Sequence, residues 1–167
     1  MTRLRTARLV LRSFGPADVE PYAEMCADAE VMRHIGAGGP AGRDVAWRQV
    51  AMFIGHWTLR GHGMWAVERQ SDGRMLGRVG FMHPEGWPGC ELGWLLARDA
   101  WGQGYAEEAA RAALAWGRDV RGIVSPISLI RPANERSIRL AERLGAVADT
   151  EIDFLGDRAV VWRHVAP

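Results

Sequence analysis

The chain of 167 residues is 48% apolar and carries a formal net charge of +1. One domain spanning residues 1–167 around one core fits that length, and near-neutrality argues against a nucleic-acid partner, which calls for a basic field. The basic side chains other than histidine are all arginine; without lysine there is no Schiff base, and pyridoxal-type catalysis is excluded.

Residues 1–12 carry charges throughout and lack the apolar stretch of a signal peptide, and no apolar run approaches a membrane span. A cytoplasmic chain with no membrane partner is expected. Residues 8–12 read as a short strand. Gly15, Pro16, Ala17 and Asp18 open an amphipathic helix continued by Glu20, Tyr22, Met25 and Cys26, with Pro21 early enough to be tolerated. The glycine-rich run 36–42 is a loop. A second helix covers about 44–59, where Ala46, Val50, Phe53 and Trp57 recur every three or four residues.

Runs 64–69 and 75–82 read as strands around the turn Ser71, Asp72, Gly73, a hairpin signal. The irregular run 83–89 leads into an apolar strand beginning near Cys90. Cys26 and Cys90 lie far apart without CxxC spacing, so neither a disulfide framework nor a metal site is expected. After that strand come a helix over 105–116, a strand over 128–130, and a helix over 134–144 stopped by Gly145. Two closing strands, 147–154 and 159–164, flank the turn Gly156, Asp157. Trp47, Trp57, Trp65, Trp94, Trp116 and Trp162 read as core, Trp87 as the wall of a cleft, and His34 and His83 as loop residues at the surface. Hairpins interspersed with helices imply a mixed sheet in a three-layer α+β or α/β arrangement.

The chain is organised around residues 92–106, an apolar strand, a turn containing Gly102 and Gly104, and a helix start at Tyr105. That turn directs the backbone N–H groups of Gln103, Gly104, Tyr105 and Ala106 at one spot before the helix, where the positive end of the macrodipole also lies. A phosphate or pyrophosphate is the expected guest. A Walker loop needs a lysine, which this chain lacks, and a dinucleotide fingerprint needs a small residue where Glu107 stands. What remains is a short nest that grips pyrophosphate through main-chain donors.

The run Asp99, Ala100, Trp101, Gly102, Gln103, Gly104, Tyr105, Ala106 resembles the Q/RxxGxG/A signature of the GNAT superfamily of N-acetyltransferases. It is most similar to the branch that acetylates ribosomal-protein N-termini, where an aromatic residue often precedes the first glycine. Asp99 stands where the wider signature has Gln or Arg, so one side-chain donor is missing. The resemblance covers nearly the whole chain. It implies a mostly antiparallel sheet of about seven strands flanked by about four helices, and acetyl-coenzyme A as co-substrate with no metal. It places the coenzyme against Leu95, Leu96, Trp101, Gly102, Gln103, Gly104, Tyr105 and Ala106. A homodimer is left open.

The second strong feature is Asn134 followed by Ser137. Physically Asn134 is a helix N-cap and Ser137 lies within the first turn; by the resemblance Asn134 contacts the pantetheine arm and Ser137 stands near the sulfur. Acetyl transfer to an amine needs a neutral amine, a polarised carbonyl and a proton for the thiolate. Alkyl amines have a pKa of roughly 10 and α-amines roughly 8, so a base or a water relay is required near neutrality. Backbone N–H near Leu95 is the expected oxyanion donor; by the resemblance Ser137 is the proton donor and Glu91 or, second, Asp153 the base. The acceptor is a primary amine, on a protein N-terminus or a small molecule. A rival reading is a non-catalytic acyl-CoA-binding sensor or assembly module on the same scaffold; the Ser137 and carboxylate pair favours turnover.

Overall fold

The computed structural model describes residues 2–165, centred on one eight-stranded sheet. The strands are β1 (Leu4–Arg5), β2 (Leu9–Arg12), β3 (Met64–Arg69), β4 (Met75–Met82), β5 (Glu91–Leu96), β6 (Ile127–Ile130), β7 (Ala146–Phe154) and β8 (Asp157–His164). They lie in the order β1-β2-β3-β4-β5-β6-β8-β7. β5 and β6 run parallel and the other described neighbours antiparallel. The helices are α1 (Val19–Ala27), α2 (Ala29–Met32), α3 (Arg43–Arg60), α4 (Tyr105–Arg121) and α5 (Glu135–Arg143). All seven expected strands and four expected helices are present. The additions, β1 and α2, are too short to show a period. α2 is set by its N-cap, Asp28, whose Oδ1 accepts from the Glu30 N–H at 2.9 Å.

β3 shows how the layers form. Alternate residues of a strand point to opposite faces. Trp65 and Val67 pack on one side with α4, and Met64 and Ala66 on the other with α1 and α3. Trp57, Trp65 and Trp116 meet edge-on or tilted, with centroids 4.9 to 5.5 Å apart, and pin α3 and α4 to the sheet. Trp47, expected in the core, is 54% exposed. It follows Ala46, which faces the core, and one residue is about 100° of helical turn, enough to carry it to solvent.

The β5–β6 pair opens. One register pair, Glu91 with Ile127, holds the strands together. The Ile127 N–H donates to the Cys90 carbonyl at 2.9 Å, and Ser128 Oγ donates to the Leu92 carbonyl at 2.6 Å. Beyond Leu92 the strands separate, β5 staying paired with β4 as far as Leu96 and β6 with β8 as far as Ile130. The Ala97 N–H donates to the Leu76 carbonyl at 2.8 Å. Odd-numbered residues of β5 therefore present their main chain to β4, and Trp94 and Leu96 present theirs to the gap.

His164 closes the base of that gap. It is buried, with Nε2 2.9 Å from Ser128 Oγ. The Ser128 proton is directed at the Leu92 carbonyl, so the neutral ring donates Nε2–H. Burial holds the His164 pKa down to about 4, against roughly 6.5 unfolded. The unfolded chain therefore binds the proton more readily, and His164 favours the fold above pH 6.5 and progressively less as pH falls toward 4, by on the order of 3 kcal/mol. A His164→Gln variant keeps an N–H donor without the titration. Denaturant midpoints of the parent should drop more steeply between pH 7 and 4.5 than those of the variant; parallel profiles would refute this assignment.

Candidate active site

Gly102 and Gly104 both adopt left-handed φ values, +72° and +78°, a conformation that costs other residues roughly 1–2 kcal/mol. With Gly104 as N-cap there is no side chain over the helix start. Among the described residues the N–H groups of Gln103 through Glu107 find no protein acceptor; the first helical bond runs from the Glu108 N–H to the Gly104 carbonyl at 3.0 Å. This arrangement suits an anion. Gln103 is exposed, and its amide donates to the Asp99 carbonyl at 2.8 Å, stapling the turn. Asp99, in place of a side-chain donor, pairs with Arg74 at 2.7 Å. Arg8, which the sequence does not mark, braces the same turn. Its Nη1 donates to the Gln103 carbonyl at 2.9 Å, its Nε pairs with Glu108 at 2.7 Å, and it lies 4.5 Å over the Tyr105 ring.

From this turn a groove of about 590 Å³ runs along the end of β5 to α5. Leu95, Leu96, Trp101, Gly102, Gly104, Tyr105, Ala106, Asn134 and Ser137 line it; Gln103 does not. Trp101 donates Nε1–H to the Leu96 carbonyl at 2.9 Å and carries the Arg136 guanidinium 3.5 Å above its ring. Leu95 lines the groove, but by the strand alternation its N–H faces β4. The N–H groups open to the gap are those of Trp94 and Leu96.

Asn134 is the N-cap of α5, its Oδ1 accepting from the Ser137 N–H at 3.3 Å. Ser137 Oγ in turn accepts the Trp94 indole N–H at 3.1 Å, which leaves the hydroxyl proton free to be donated elsewhere. Trp94, read from sequence as a core residue, is partly buried and holds the serine.

On the other side of Trp94 is a cleft of about 210 Å³. Glu91 lies in it, its Oε2 accepting the Trp87 indole N–H at 2.7 Å. Burial raises the Glu91 pKa, opposed by the Trp87 hydrogen bond and then by the charge of Arg78. Trp87 meets Phe154 edge-on at 4.8 Å and both wall the cleft. Asp153 does not share it. With Phe154 turned inward, the two-residue period sends Asp153 to the other face of β7, where it is exposed opposite Arg158. The expected second base is therefore displaced from the cleft. The loop after α2 brings in His34, Ile35 and Gly36, with the Gly36 carbonyl held by Arg131 Nη2 at 2.6 Å. Burial lowers the His34 pKa, with further lowering from Arg33, Arg131 and Arg136. Groove and cleft share His34, Ile35, Trp94, Asn134 and Ser137.

Residues 8–147 match the acetyltransferase (GNAT) domain. The chain belongs to the GNAT acetyltransferase family. The structure of an acetyltransferase from Agrobacterium tumefaciens superposes with a TM-score of 0.89 at 30% identity, covering 99% of this chain and 95% of that one. RimL, described as a ribosomal L7/L12 alpha-N-protein acetyltransferase in complex with coenzyme A, gives 0.82 over 98% of each chain. At 17% identity that likeness is one of fold. The uncharacterised YkkB of Bacillus subtilis is 40% identical over 97 residues, which are 54% of this chain and 56% of that protein. The uncharacterised N-acetyltransferase YnaD of the same organism is 25% identical over 85% of this chain and 81% of its own. The mixed α/β fold with a mostly antiparallel sheet is thus a GNAT fold, and acyl transfer is the general activity of the family. Among the described residues no group of three metal-ligating side chains assembles, and no helix is long and apolar enough to cross a membrane.

Proposed function

We propose that this GNAT protein transfers an acetyl group from acetyl-coenzyme A to a primary amine by direct attack in a ternary complex. The observation that carries the reading is the junction: groove and cleft meet at Trp94, Asn134 and Ser137, with Glu91 on the cleft side. In this reading the pyrophosphate lies on residues 102–106 and the pantetheine arm passes Asn134 into the gap between β5 and β6. The thioester supplies the activated acetyl carbon.

Glu91, directly or through one water, takes a proton from the bound ammonium, and the amine nitrogen attacks the carbonyl carbon. The developing oxyanion is met by the Trp94 or Leu96 N–H. As the oxyanion collapses and the C–S bond breaks, Ser137 gives its proton to the thiolate sulfur and is reprotonated, through water, by the proton that the acylated nitrogen loses. An acyl-CoA sensor would need the groove but not a second, connected cleft with a carboxylate in it, so turnover is the better-supported reading.

Trp94 is a positioning residue here. Trp94→Phe keeps the ring and removes the N–H that polarises Ser137, so kcat should fall about 10-fold, against about 100-fold for Ser137→Ala. Because one acts through the other, the double variant should be no slower than Ser137→Ala alone. Additive losses would show that Trp94 acts by a separate route. The function itself is tested by thiol release from acetyl-coenzyme A with primary amines, paired with mass detection of the acetylated product. Release without an acetylated amine would oppose it.

A further inference from the structure

The acceptor cleft holds an arginine outside any ion pair among the described residues as well as a carboxylate. Arg78 sits in β4, in register with Leu95, and projects on the same face as Gly93 and Glu91. Its Nε donates to Tyr22 Oη at 3.0 Å and its Nη1 to Met64 Sδ at 3.6 Å, and it lies 5.3 Å from the Phe53 ring centre. The Tyr22 hydroxyl is itself engaged with Gln49 Oε1 at 2.6 Å. Burial raises the Tyr22 pKa to about 12, so tyrosinate does not balance the charge. Among the described residues Arg78 forms no ion pair, whereas the other arginines lining the cleft do. Arg131 pairs with Asp157 at 3.1 Å, and Arg158 pairs with Glu151.

Arg78 and Glu91 both reach the neighbourhood of Gly93: a Cβ there would lie 2.9 Å from Met64 Cε, 3.6 Å from Arg78 Nη1 and 3.8 Å from Glu91 Oε1. Cation and carboxylate thus come to one part of the cleft without forming an ion pair. Each is held by a neutral partner, Tyr22 for Arg78 and Trp87 for Glu91. An arginine and a glutamate this close would ordinarily pair; held apart, they match a ligand that carries an ammonium and a carboxylate on one carbon. Met52, Phe53, Met82, Trp87 and Phe154 give the cleft an apolar wall beside its polar lining, which includes Gln49, Arg131 and Arg158. Its volume of about 210 Å³ lies below the roughly 300–1,000 Å³ of pockets for drug-sized ligands, which favours a small acceptor.

We infer that the acceptor is a free α-amino acid with an apolar side chain, its ammonium at Glu91 and its carboxylate on the Arg78 guanidinium. This rests on the acetyl-transfer reading and names its substrate class. A peptide N-terminus, whose first carbonyl is an uncharged amide, leaves Arg78 unanswered, and a polyamine places a second positive charge against it.

The test compares matched acceptors on the full chain: leucine, methionine and phenylalanine, the amide of each, and a dipeptide beginning with each, read by thiol release and product mass. The free acids should exceed their amides by about 100-fold in kcat/KM. In Arg78→Gln that ratio should collapse to within about threefold of unity, and Arg78→Lys should restore part of it. Because the preference is read first in the parent protein, a variant that fails to fold does not decide the matter. Amides or dipeptides turned over as well as the free acids would overturn the amino-acid assignment and leave acetyl transfer standing. Absence of thiol release with every acceptor, despite coenzyme binding, would overturn both.

Discussion

Glu91→Gln is expected to lower kcat by about 10²- to 10³-fold, the usual loss when a positioned base is removed, while coenzyme affinity stays close to that of the parent. The amide keeps the shape and still accepts the Trp87 N–H, so the change falls on proton transfer rather than on packing. Glu91 accepts a proton only when ionised. Its pKa is raised by burial, so the acidic limb of the kcat profile should lie above the ordinary carboxylate range of about 4.3. Activity should rise as pH climbs through that limb in the parent, and the limb should disappear in the variant. Asp153→Asn, at an exposed site outside the cleft, should leave the limb in place. If the limb survives in Glu91→Gln, the acceptor is deprotonated in bulk water and the protein contributes proximity and carbonyl polarisation alone.

Gly104→Val should weaken coenzyme A binding by about 10-fold. At φ +78° a β-branched residue incurs on the order of 1–2 kcal/mol of backbone strain. Its Cβ would also lie 3.4 Å from Nη2 of Arg8, the residue that braces the turn; each ~1.4 kcal/mol lost is tenfold in affinity. Calorimetric titration with coenzyme A, alongside a melting curve to establish folding, measures the effect. A folded variant with parental affinity would move the pyrophosphate away from this turn.

The order of elements is legible in the sequence because long elements advertise their period. The α3 residues Ala46, Val50, Phe53 and Trp57 and the glycine turn before α4 each carry a local signal. The anion nest is legible for the same reason: it is a property of consecutive backbone groups. What escapes a linear reading is tertiary. Trp47 is apolar by type but points off the buried stripe of its helix. Leu95 stands at the right height in its strand, yet only pairing with β4 reveals which main-chain groups face the gap. Asp153 is one residue away from the inward face of β7, a distinction that the register with β8 settles. Arg78 does leave a trace, a single charge in the otherwise apolar run 75–82, but its meaning depends on Gly93 and Glu91 lying beside it on the next strand. Arg8 and Trp94 likewise gain their roles from partners 95 and 43 residues away.

The central claim is that the two connected cavities perform acetyl transfer rather than hold an acyl-coenzyme A at rest. It is tested most directly by loading the protein with one equivalent of acetyl-coenzyme A, adding a primary amine from the acceptor panel, and following thiol and N-acetyl product together. The account predicts that both appear in equal amounts for at least one amine, far faster than acetyl-coenzyme A hydrolyses in buffer. Bound acetyl-coenzyme A that Gly104→Val weakens, but that no amine in the panel consumes faster than buffer does, would contradict it.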